Sequence, residues 1–148
     1  MNVLIINGPN LNMLGLREPH IYGSRKFESF LPSLQKRFPQ VNIRYMQSNC
    51  EGTLIDSLHS ALIGTEDERA DGVLLNAGAY THCSYALADA VAAIAPLPVV
   101  EVHISNPSAR EEFRRKSVLG PVCKATVAGF GLESYAVALQ GLVSLLRP

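Results

Sequence analysis

Glu101 and His103 stand two residues apart in an apolar run, Pro98 to Ile104, that predicts a β-strand. Alternate residues of a strand project from one face, so a carboxylate and an imidazole meet on one side. A carboxylate there orients the ring and favours its protonated form, which makes a general acid. The same spacing serves a purely structural His–Glu pair, or a metal pair with His82 as third ligand. A second concentration of chemistry lies in the long loop after the first strand, where Arg17, Glu18, His20, Tyr22 and Arg25 fall within nine residues. A free phenol has a pKa near ~10, so a phenolate base at neutral pH needs a shift of roughly 3 units, about 4 kcal/mol. A guanidinium beside the phenol supplies part of that shift. On spacing alone, a surface loop of solvated charges is the simpler reading.

Other groups are less specific. GPNLNMLG, starting at Gly8, has neither the GxGxxG nor the GxxxxGK[ST] spacing, so a phosphate cradle is not expected there. Asn7 and Asn10 read as turn caps or as polar contacts. Thr81 and His82 follow Ala77 and Gly78, where a helix is expected to begin and its free N–H groups would suit an anionic ligand. Ser105 and Asn106 offer similar donors. AREEFRRK puts Arg110 and Arg114 four apart on a short helical face, which intrahelical pairing with Glu111, Glu112, Arg115 and Lys116 would also explain. None of Lys26, Lys36, Lys116 or Lys124 follows the first, third or fourth strand, which disfavours a Schiff-base enzyme. Cys50, Cys83 and Cys123 are odd in number and lack CxxC spacing. They read as reduced thiols of a cytoplasmic protein rather than a disulfide framework or zinc knuckle. Cys83 beside His82 would be a nucleophile or, by default, small filler.

The elements that must position these residues follow from hydrophobic pattern. The chain has 148 residues with 13 basic and 13 acidic side chains, the length of one domain spanning 1–148. Zero net charge argues against nucleic acid as the main partner and permits self-association. No apolar run approaches the ~20 residues of a membrane span, and the apolar stretch at the N-terminus is too short for a signal peptide. Val3–Ile6, Val41–Gln47, Gly72–Leu75, Pro98–Ile104 and Ala125–Ala128 read as strands. Phe27 to Phe38, Leu54 to Ile63, Tyr85–Ile94 and Tyr135–Leu146 read as helices, with Pro39 and Gly64 as stops. Strands alternating with helices predict an α/β fold, a flavodoxin-like doubly wound parallel sheet of five strands in the order 2-1-3-4-5. Ligands of such sheets bind beyond the carboxyl ends of the strands where the order reverses. There the groups after strands one, three and four converge.

GPNLNMLGLREPHIYG, NAGAYTHCS, EVHISN and AREEFRRKS resemble, in order and spacing, the motifs of the type II 3-dehydroquinate dehydratases. QSNCEGTLIDSLH and GFGLESYAVAL add weaker similarity, so the likeness runs over essentially the whole chain. The resemblance implies a hydro-lyase that converts 3-dehydroquinate to 3-dehydroshikimate by anti elimination through an enolate, without metal or organic cofactor. Such an enzyme serves the shikimate route to aromatic amino acids or the catabolism of quinate. By position, the resemblance makes Tyr22 the proton acceptor, Arg17 the stabiliser of its phenolate, and Asn10 the holder of a water at the enolate oxygen. His103 becomes the general acid oriented by Glu101. Asn76, His82 and Arg114, with the backbone of Ile104 and Ser105, match substrate-binding positions, and Arg110 matches a second basic residue near the lid. Asp89 matches a residue supplied from a neighbouring subunit, which implies a homotrimer as catalytic unit and a dodecamer of four trimers. Ala88, Cys83 and Ala77 stand where many members carry Arg, Thr and Pro. Two other classes fit the residues without the resemblance: a binding module with no turnover, and a metal-dependent hydrolase built on His82, Glu101 and His103.

Overall fold

Val3, Leu4, Ile5 and Ile6 are all buried, the signature of a strand covered on both faces. They form the centre of β1 (Asn2–Asn7) in a computed structural model that describes residues 1–16, 19–22 and 24–147, the side chains of Pro19 and Tyr22 excepted. β2 (Asn42–Gln47), β3 (Gly72–Asn76), β4 (Val99–His103) and β5 (Ala125–Ala128) complete one parallel sheet in the order β2-β1-β3-β4-β5. The expected order is therefore the observed one. The edge strands β2 and β5 are only partly buried, whereas β3 and β4 are buried throughout.

The helices are α1 (Pro19–Tyr22), α2 (Phe27–Arg37), α3 (Glu51–Ile63), α4 (Tyr85–Ala93) and α5 (Glu133–Leu146). Strand periodicity sorts the core into two layers. Val3, Ile5, Leu74, Val100 and Val102 pack with Phe27, Phe30 and Leu34 of α2 and with Tyr135, Leu139 and Leu142 of α5. Leu4, Ile6, Val73, Leu75 and Val99 pack with Leu54 and Leu58 of α3 and Leu87 and Val91 of α4. This alternation assigns faces near the strand ends. Asn7 and Asn76 continue the series that faces α2 and α5, while Glu101 and His103 continue the series that faces α3 and α4.

Three details differ from expectation. α3 begins three residues before its apolar pattern and α5 two before, because a polar first turn carries no periodic signal. Ile63 is 74% exposed: Leu54, Leu58 and Ala61 form the buried stripe, and a residue two beyond Ala61 lies on the opposite side of the helix. Arg110 and Arg114 do not share a helical face. The segment folds as two 3-10 turns, Pro107–Ala109 and Glu112–Arg114, with Arg110 extended between them. Asn106 starts the first turn by accepting the Ser108 N–H at 3.1 Å, and so short a segment cannot propagate an α-helix.

Two glycines shape the switch point. The Gly8 N–H donates to the Asn76 carbonyl at 2.7 Å, so the exits of β1 and β3 touch. A Cβ at Gly8 would lie 2.6 Å from the Ala77 carbonyl carbon and oxygen. Gly78, with φ of +58°, occupies the left-handed region that side chains disfavour.

Candidate active site

A cavity of about 250 Å³ opens beyond the carboxyl ends of β1, β3 and β4. The loop after β1 supplies Pro9 and Asn10. Asn10 has a φ of 67°, a conformation Asn tolerates better than most residues. Its N–H is held by the Asn49 side-chain oxygen at 2.9 Å, and its side chain makes no capping hydrogen bond. Asn10 is thus a presented side chain rather than a turn cap.

From β3 come Asn76 and the 3-10 turn Gly78–His82. His82 Nδ1 lies 2.7 Å from the Lys116 carbonyl. A carbonyl only accepts, so Nδ1 carries the proton and Nε2 is left for a ligand. Thr81 and His82 do not mark a helix N-terminus, as the sequence suggests. α4 starts at Tyr85, and the Ser84 hydroxyl accepts the Leu87 N–H at 3.0 Å while donating to the Glu51 carboxylate. Thr81 is buried, outside the cavity lining.

From β4 come His103, Ile104 and Ser105, followed by Arg110 and Arg114 from the two 3-10 turns. Glu111 draws the arginines together, with its carboxylate 3.6 Å from Arg110 Nε and 3.1 Å from Arg114 Nε. The two guanidinium groups also hold the Glu111 carboxyl below its ordinary range, behind a larger effect from its own backbone N–H. Asn106 is spent on its turn and does not line the cavity.

Behind His103 stands a chain of hydrogen bonds. His103 Nε2 is 2.5 Å from Glu101 Oε1, and both residues are buried. The Ser117 hydroxyl donates to Glu101 Oε2 at 3.0 Å and accepts the N–H groups of Leu119 and Gly120 at 3.1 and 2.8 Å. Two backbone donors occupy the oxygen of Ser117, which leaves its proton one direction, toward Glu101. Ring nitrogen Nε2 is committed to Glu101, so Nδ1 is the one offered to the cavity. Nearby, burial pushes the Cys123 thiol up to about 12, with the Glu101 charge adding to it.

A second buried network lies on the opposite face of the sheet. Tyr135, fully buried on α5, donates to Asn7 Oδ1 at 2.7 Å and accepts from Asn76 Nδ2 at 2.9 Å. Burial raises the Tyr135 phenol above the usual tyrosine range and pushes Tyr45 up to about 12. Asn7, read from the sequence as a turn cap or a polar contact, is a buried network member instead.

The described cavity lining thus gathers Asn10, Asn76, His82, His103, Ile104, Ser105, Arg110 and Arg114. It holds two arginines and two histidines and no Asp or Glu, a field that favours an anion. Asp89 is exposed on α4 and outside this lining. Arg17 and the Tyr22 side chain, the base and its guanidinium partner expected from the loop, lie outside the described residues. Arg25 is turned to the start of α2, donating to the Ser29 carbonyl at 3.0 Å and lying over the Phe30 ring. Cys83 is exposed, with Sγ 3.5 Å from the Ala79 carbonyl. Among the described residues no three His, Cys, Asp or Glu side chains come together as a metal set, and both oxygens of Glu101 are already engaged. Ser117, Asn49 and Tyr135 were not legible as site residues: the first two are single polar residues, and Tyr135 sits in an apolar helical pattern.

Relatives carry the same frame. The family model described as dehydroquinase class II matches residues 1–143. A 3-dehydroquinate dehydratase of Caldicellulosiruptor saccharolyticus is 49% identical over 146 residues, 97% of each chain. The crystal structure of the type II dehydroquinase from Butyrivibrio crossotus superposes with a TM-score of 0.91 at 42% identity, covering 97% of both chains. That from Propionibacterium acnes gives 0.87 at 36% identity, covering 97% of this chain and 96% of the other. Full-length identity of this order, on a sheet whose switch point holds the histidine, the glutamate and the two arginines, leaves one conclusion: this chain belongs to the class II dehydroquinase family.

Proposed function

We propose that this chain is a 3-dehydroquinate dehydratase, a hydro-lyase that eliminates water from 3-dehydroquinate to give 3-dehydroshikimate. One observation carries the reading: a carboxylate-backed imidazole and two arginines line one cavity free of described acidic groups. The substrate is a cyclic keto acid bearing hydroxyls, and its carboxylate suits the positive field set by Arg110, Arg114 and the polar groups around them.

The chemistry then divides by residue. Tyr22, as phenolate, takes the proton alpha to the ketone, and Arg17 favours that phenolate electrostatically. The electron pair moves onto the ketone oxygen as an enolate, beside which Asn10 holds a water. Stabilising that oxyanion is what makes so weak a carbon acid removable. The enolate then collapses, the carbon–oxygen bond breaks, and His103, protonated at the nitrogen facing the cavity, gives its proton to the departing hydroxyl. Glu101 orients the imidazolium and balances its charge. Asn76, His82, Arg114 and the backbone of Ile104 and Ser105 bind the substrate, with Arg110 beside them. A base and an acid of different chemical type work at one pH because their environments separate them. No step needs a metal or organic cofactor.

Residues 1–148 act as one catalytic domain. Asp89, exposed and outside this chain's own cavity, completes the site of a neighbouring copy, so a trimer is the catalytic unit and four trimers make the dodecamer. Free cysteines at 50, 83 and 123 support a cytoplasmic location, and among the described residues no helix is long and apolar enough to cross a membrane.

The test is direct. Purified protein is mixed with 3-dehydroquinate and the conjugated enone absorbance is followed, with and without chelator. Turnover that survives chelation is expected. Absence of turnover would support a binding module instead, and chelator-sensitive hydrolysis of another substrate would support a metal hydrolase.

A further inference from the structure

Asn7 and Asn76 are the last residues of two adjacent parallel strands and are register partners. Both point to the α5 side of the sheet, where Tyr135 is fully buried. Its hydroxyl donates to Asn7 Oδ1 at 2.7 Å and accepts from Asn76 Nδ2 at 2.9 Å. Asn76 Oδ1 in turn accepts the Gly78 N–H at 3.3 Å. A carboxamide offers two N–H donors and two oxygen lone pairs. One of each is committed here, on opposite ends of the amide, so a flip would lose the Gly78 bond and could keep the Tyr135 bond only by drawing the hydroxyl proton away from Asn7. One N–H and one lone pair remain, and Asn76 lines the cavity.

We infer that Tyr135 is a positioning residue: its hydroxyl, braced on Asn7, holds the Asn76 amide in the single orientation that presents a donor and an acceptor to a substrate hydroxyl. The inference rests on the proposed function for the identity of that substrate. The ring of Tyr135 is itself fixed, edge-on to Phe27 with centroids 4.8 Å apart. Phe27 opens α2, and Tyr45 of β2 lies 4.5 Å from it. The hydroxyl therefore has no freedom to follow a wandering amide, and the amide follows the hydroxyl.

A hydroxyl bound by Asn76 is held equally in the ground state and the transition state, so loss of orientation is expected in KM rather than kcat. In Tyr135→Phe, KM should rise about tenfold, the size of one ordinary hydrogen bond, with kcat within about twofold. Asn76→Ala should raise KM at least as far, and adding Tyr135→Phe to it should change nothing further, since the amide to be oriented is gone. A packing role would instead multiply the two effects. Folded Tyr135→Phe with unchanged KM, or effects that multiply in the double variant, would overturn the inference. If Tyr135→Phe does not fold, Asn7→Leu removes the brace while filling its space, and the same cycle with Asn76→Ala applies with the same two outcomes. A readout independent of turnover uses protein labelled with 15N at asparagine. Of the two Asn76 side-chain amide protons, the one donated to Tyr135 should be protected from solvent exchange, and that protection should be lost in Tyr135→Phe. Wild-type protein that shows this protection but does not turn over 3-dehydroquinate would sink the functional reading and leave the clamp standing, while an unprotected wild-type amide would sink the clamp alone.

Discussion

His103 Nε2 and Glu101 Oε1 lie 2.5 Å apart on one face of β4, and the far oxygen of the same carboxylate receives the Ser117 hydroxyl at 3.0 Å. The imidazole is thus held from behind by a group whose own orientation is fixed, with one nitrogen left for the cavity.

Replacing the carboxylate by its amide isolates that support. Glu101→Gln keeps the volume but removes the charge that balances an imidazolium. General acid catalysis contributes about 10²–10⁴-fold, so a kcat loss of about 10- to 100-fold is expected, with a much smaller change in KM. Steady-state kinetics check it. A kcat near that of the wild type would remove Glu101 from its role in supporting the His103 imidazolium.

Ser117→Ala should be felt first in stability. It strips a donor from a buried carboxylate and an acceptor from the N–H groups of Leu119 and Gly120. Groups left unsatisfied in this way cost about 1–3 kcal/mol, measurable as a lower urea midpoint at unchanged slope. Equal midpoints for variant and wild type would mean that water takes the place of the hydroxyl.

Tyr22→Phe and Arg17→Ala should lower kcat far more than they weaken substrate binding. The base and its guanidinium partner act mainly as charge develops, so their loss falls on the transition state. Single-turnover kinetics beside equilibrium binding would separate the two. Near-normal kcat in either variant defeats the acid–base assignment.

The three thiols should differ in reactivity at mildly alkaline pH. Cys50 is exposed at the start of α3, where the backbone N–H of Thr53 leads the hydrogen bonds that lower its pKa. Burial, with Glu101 adding, pushes Cys123 up to about 12. The thiolate is the reactive form, so a lowered pKa means more of it at pH 8 and a raised one almost none. Iodoacetamide followed by peptide mass analysis should label Cys50 early and Cys123 last. The reverse order would contradict the environments described for both.

Much of the molecule was legible in the sequence because the signals are local. Val3–Ile6 and Gly72–Leu75 are continuous apolar runs, Ala125–Ala128 is recovered to the residue, and alternating strands and helices admit few topologies. The strand order then sends the residues after β1, β3 and β4 to one edge, which is why Asn10, Asn76, His82 and His103 come together. Period two alone put Glu101 beside His103. The dehydratase chemistry itself was read from motif resemblance rather than from spacing, which left a structural pair and a metal pair open.

Other features had no local sign. Nothing in AREEFRRK distinguishes a helix from two 3-10 turns, because the choice depends on Asn106 capping one turn and on Glu111 reaching both arginines. Ser117 reaches Glu101 across 16 residues, and Tyr135 reaches Asn7 across 128. A side chain's hydrogen-bond partner at such separation is set by packing of whole layers. In the sequence, therefore, Tyr135 is one more large residue on an apolar helical face, and only tertiary structure turns its hydroxyl toward two strand ends.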